Sequence, residues 1–97
     1  MRHAGAEGLD QLDELLTRLR RLPGLREPRR GVFYRRSKAF LHFHEDPAGL
    51  FADIRFAEEW ERLPVTTAAE RDVLLILVEK RTELSSPAGA AAGSSRQ

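Results

Sequence analysis

Three runs of alternating apolar and polar residues follow one another between Gly31 and Phe56, and they leave little choice of architecture. They are Gly31-Val32-Phe33-Tyr34-Arg35, Ala39-Phe40-Leu41-His42-Phe43-His44 and Leu50-Phe51-Ala52-Asp53-Ile54-Arg55-Phe56. A period of two is the signature of a strand with one face buried. The linkers Arg36-Ser37-Lys38 and Asp46-Pro47-Ala48-Gly49 are short and turn-forming, so consecutive strands are antiparallel neighbours in a meander.

The alternation also sets a register. A four-residue loop at Asp46–Gly49 pairs Glu45 with Leu50, Phe43 with Ala52, Leu41 with Ile54 and His42 with Asp53, and the apolar residues then share one face. A two-residue turn at Ser37-Lys38 places Val32 opposite Phe43, Tyr34 opposite Leu41 and Phe33 opposite His42. The expected core face is Val32, Tyr34, Leu41, Phe43, Ala52, Ile54 and Phe56. The other face carries Phe33, Arg35, Phe40, His42, His44, Phe51, Asp53 and Arg55.

Helices flank the strands. Leu9, Leu12, Leu15, Leu16, Leu19 and Leu22 recur at spacings of three and four, with acidic residues early and arginines late, until Pro23-Gly24 ends the helix. Thr67-Ala68-Ala69-Glu70 reads as a capping box, followed by a helix from Arg71 to Leu84 whose Val73–Val78 centre is wholly apolar. The segment Trp60–Val65 is either a short fourth strand or an irregular lid, and Pro64 restricts it to an edge. The expectation is an α+β domain over residues 1–84, in the order α-β-β-β-(β)-α. It is an antiparallel three- to four-stranded meander with two helices packed on one face. Residues 85–97, small and lacking any large apolar side chain, are expected to form a disordered tail.

Composition removes several kinds of chemistry. With 97 residues there is room for one core. No cysteine is present, so disulfides, iron–sulfur clusters and thiolate zinc sites are excluded. The early residues lack the basic-then-apolar pattern of a secretory signal, and the longest apolar run is far too short to span a bilayer. A cytoplasmic protein without membrane contact or cofactor is therefore expected. The net charge of +1 conceals a basic first part, with ten Arg/Lys against five Asp/Glu in residues 1–38, and an acidic remainder with six against ten. Such polarity steers nucleic acid or acidic partners, but fourteen Arg to two Lys is equally what GC-rich codon usage produces.

Three readings of the mixed aromatic and charged face follow. In the first, His42, His44 and Asp53, with Glu45 or Asp46 at the rim, hold zinc or a related ion, or Asp53 orients His42 as a proton shuttle; the plain alternative is a cross-strand contact between His42 and Asp53. In the second, Phe33, Phe40 and Phe51 stack bases while Arg35, Arg55 and the basic segment around Arg26, Arg29, Arg30, Arg36 and Lys38 hold phosphates; the alternative is that Trp60 covers these phenylalanines as a small second core. In the third, the surplus apolar surface of the last helix or the aromatic face contacts a protein partner or a second copy, with no chemistry at all. Neither a nucleophile motif, a phosphate loop nor HExxH is present, so a binding or interaction domain is the leading expectation.

The helix ending at Leu22-Pro23-Gly24-Leu25, the strand Ala39–Asp46 with its Phe and His residues, the Gly49 turn and a closing helix at Ala69 to Lys80 resemble two groups of small bacterial proteins. These are the "luciferase domain" group, with a similar phenylalanine-and-histidine strand before a Gly-containing turn, and the MmcQ/YjbR group, similar in its helix–strands–helix order. The resemblance spans residues 12–82 and implies a small α+β sandwich of no settled activity. It carries over no functional residue.

Overall fold

The computed structural model describes residues 2–85. The chain runs β1 (Arg2–His3), α1 (Ala6–Gln11), α2 (Asp13–Arg20), β2 (Leu25–Arg29), β3 (Val32–Arg35), β4 (Lys38–Asp46), β5 (Gly49–Phe56), β6 (Glu59–Pro64) and α3 (Ala68–Ser85). Strands β2 to β6 form an antiparallel meander in sequence order, and β1 pairs with β4. Because β5 occupies one edge of β4, β1 and β3 share the other. β3 takes residues Lys38 to His42, and β1 takes His44 and Glu45.

The sheet is larger than the three or four strands expected. β2 escapes sequence reading because Leu25-Arg26-Glu27-Pro28-Arg29 is charged and contains a proline. As an outer strand it needs no ladder donor at Pro28, and its register with β3 shifts between Arg26 and Arg29. β6 is likewise an edge, and Pro64 is its last residue. Among the described residues, no helix is long and apolar enough to cross a membrane.

The β4–β5 register is the expected one, including Leu41 with Ile54, His42 with Asp53 and Glu45 with Leu50, and it continues to Asp46 with Gly49. The loop thereby shortens to Pro47-Ala48, closed by a bond from the Ala48 N–H to Asp46 Oδ1 at 2.7 Å. The β3–β4 register differs from the expectation by two residues next to the turn and by one beyond a bulge. The turn is Arg36-Ser37, with φ of 55° and 69°, the left-handed pair that closes a two-residue hairpin. That turn alone would set Phe33 opposite Phe40, yet Val32 lies opposite His42, and Phe33 opposite Leu41. A bulge follows, since Tyr34 pairs with Ala39, and Phe40 and Leu41 together face Phe33.

This bulge corrects the expected faces. Phe33 and Phe40 lie in the core at 1% and 2% exposure, whereas Val32 and Tyr34 are only half-buried. The core joins them to Leu41, Phe43, Leu50, Ala52 and Ile54 of the sheet, to Leu9, Leu12, Leu15, Leu16 and Leu19, and to Leu74 and Val78 of α3. All three helices thus cover one face. The first helix is two, broken at the fully buried Leu12, whose φ of −96° and ψ of 9° leave the helical region. The capping box of α3 forms as expected: the Thr67 N–H donates to Glu70 Oε1 at 2.9 Å and the Glu70 N–H to Thr67 Oγ1 at 3.1 Å. Of the expected tail, Ser85 is the last residue of α3, and the rest lies outside the described residues.

Candidate metal centre

The face without helices carries the histidines. His42 and His44 project from alternate positions of β4, and the β5 register sets Asp53 directly opposite His42. The three expected side chains do meet, although the closest contact is diagonal. His44 Nε2 lies 3.0 Å from Asp53 Oδ2 and 3.0 Å from His42 Nδ1. Cross-strand pairing then adds Arg62 of β6 opposite Asp53. Its Nε and Nη2 donate to Asp53 Oδ1 and Oδ2 at 2.7 and 2.8 Å, a two-point clamp.

Two further aromatic rings close the cluster. His3 pairs with His44 through β1, and its ring stacks on that of His44 with centroids 4.8 Å apart and 28° between planes. Trp60, 41% exposed, packs on His42 with centroids 4.7 Å apart, and Arg55 lies over the indole at 4.9 Å. One nitrogen from each of His3, His42 and His44 falls within 4.8 Å of the others.

The junction at His44 Nε2 decides what the site can do. With both rings neutral, its N–H lies between Asp53 Oδ2 and the lone pair of His42 Nδ1, and one proton serves both contacts. Burial, reinforced by the neighbouring His44, holds the His42 pKa below its ordinary value against the pull of Asp53. The neutral imidazole is the form that ligates metal. The clamp by Arg62 holds the Asp53 carboxyl below the usual carboxylate range, although burial works against it. An ion with donors at about 2.0–2.2 Å spaces them roughly 3.0–3.5 Å apart. The separations of 3.0 Å from His44 Nε2 to His42 Nδ1 and to Asp53 Oδ2 fall at that spacing, while the His3 nitrogen lies within 4.8 Å of the other two imidazoles and must close in to join them.

The remaining candidates are dispersed. Phe51 is half-buried between His44 and Pro64 on neighbouring strands. Arg35 sits over the buried Phe40 ring at 5.4 Å, and burial lowers its pKa, assisted by the charges of Arg36 and Arg81. Phe33 and Phe40, expected on this face, lie in the core. Glu45 turns toward β1 on the helix side, and Asp46 caps its turn. Arg62 was within reach of sequence reasoning, because treating Glu59–Pro64 as a strand sets it opposite Asp53. His3 left no pattern, since two residues show no periodicity. Comparison with known proteins returned no matching family model, no matching curated protein and no matching solved structure.

Proposed function

We propose that the protein binds one divalent transition-metal ion on the open sheet face, through His42 and His44 with His3 and Asp53 completing the donor set. The convergence of three imidazole nitrogens within 4.8 Å beside a clamped carboxylate carries this reading. Nitrogen-rich donors with one carboxylate suit zinc, nickel or copper rather than magnesium or calcium. Arg62 orients the carboxylate from outside the donor set, and Trp60 shields one side from water.

Calorimetric titration with zinc at neutral pH tests it. One equivalent should bind, magnesium should give no heat, and His44→Ala should weaken affinity by at least about tenfold. Equal zinc affinity in wild type, His42→Ala and His44→Ala overturns the reading.

The surface of α3 supports a second reading, self-association. Val73 and Ile76 are 56% and 51% exposed on the side opposite Leu74 and Val78. Asp72, Ile76 and Lys80 form one row, so an antiparallel two-fold axis at Ile76 sets each Asp72 against the Lys80 of a second copy. Sedimentation at high protein concentration should show a dimer that Ile76→Glu abolishes. A monomer at every concentration contradicts it.

A further inference from the structure

His3 reaches the cluster from the shortest strand of the sheet. β1 is two residues long and exposed, and so short a strand holds its place weakly unless something outside the ladder fixes it. The Ala4 N–H donates to Phe43 O at 3.0 Å. The His3 ring stacks on His44 and Ala4 packs against the core, and one side chain ties down the backbone around them. Glu45 Oε1 accepts from the Gly5 N–H at 2.8 Å, and Glu45 Oε2 accepts from Arg2 Nη2 at 2.8 Å. One carboxylate therefore grips the chain on both sides of His3.

The fold makes room for that grip. Glu45 sits in β4 opposite Leu50, on the helix side of the sheet, while its neighbour His44 points to the open face. A Cβ at Gly8 would come within 2.7 Å of Glu45 Oε1 and 3.4 Å of Leu50, so a glycine lets α1 pass close to the carboxylate. β3 gives up the β4 edge after His42, and β1 takes it at His44.

We propose that Glu45 is a positioning residue for the ion site: its carboxylate latches the amino-terminal strand so that His3 is delivered to His42 and His44. Ion affinity is then conditional on docking of residues 2–5. This rests on the metal reading above. By linkage, the ion in turn holds the strand in place, and whatever detaches the strand weakens the ion's hold by the same factor.

A double-mutant cycle read by zinc calorimetry tests the latch. Glu45→Ala should lose about 10- to 100-fold in affinity, matching His3→Ala, and the double variant should lose no more than either alone. Glu45→Gln keeps an acceptor for the Gly5 N–H and should recover part of the loss, which also covers failure of the alanine variant to fold. In metal-free Glu45→Ala, nuclear Overhauser contacts between the His3 and His44 rings should vanish while those between β4 and β5 remain. Wild-type affinity in Glu45→Ala, or additive losses in the double variant, overturns the latch and leaves the metal site standing. Absence of zinc binding by the wild type overturns both.

Discussion

At His42 burial, with the neighbouring His44, outweighs the pull of Asp53, and the consequence is a pH-dependent stability of known sign. The folded chain holds this imidazole below its ordinary pKa of 6.5, whereas the unfolded chain does not. As pH falls from 6.5 toward the lowered folded value, the unfolded state takes up the proton first, so stability declines. Asp53 acts in a lower window. Clamped by Arg62, its carboxyl lies below its ordinary 3.8, so its contribution is complete above that value and is lost as pH falls through the folded one. Urea midpoints of the metal-free protein should therefore fall between pH 7 and 5 and fall again below about 3.8. In His42→Ala the first decline should shrink while the second persists. A midpoint flat from pH 7 to 5 contradicts the account of His42.

At the scale of elements, the β-bulge in β4 separates what alternation could reveal from what it could not. A period of two gives the β4–β5 register because apolar residues coincide on one face of both strands, and that pairing places His42 and Asp53 together. In the preceding hairpin Val32-Phe33-Tyr34 is apolar throughout, so either parity satisfies the pattern. The choice was made by the extra residue at Phe40, because the Arg36-Ser37 turn by itself keeps the parity of the pattern. β1 and β2 lacked any periodic signal, and only tertiary pairing defines them. The observed register sets a mutational contrast. Phe33→Ala should cost about 3 kcal/mol, the low end for a buried phenylalanine, and Val32→Ala about 1 kcal/mol or less. Denaturant unfolding checks it, and a larger loss at Val32 than at Phe33 would favour the other parity.

At the scale of the molecule, helices on one side leave the other side of the sheet without a covering layer among the described residues, and the histidines stand there. Sequence reading placed His42, His44 and Asp53 on that side because strand parity alone settles it. It could not supply His3, which depends on which segment takes the β4 edge beyond β3, and it reaches Arg62 only where Glu59–Pro64 is read as a strand. A domain of this size has little interior to spare for a deep cavity, so a shallow site on the uncovered face suits its dimensions. The face and the core are coupled through single strands: β4 contributes Leu41 and Phe43 to one and His42 and His44 to the other.

The central claim is that these imidazoles act together on one ion, and the most direct measurement is a nitrogen-detected imidazole NMR titration of the full chain with zinc at neutral pH. The rings of His3, His42 and His44 should shift together and stop at one equivalent, with the backbone amide of Asp53 following them. Independent drifts of the three rings without saturation, or no shift at all, would contradict it.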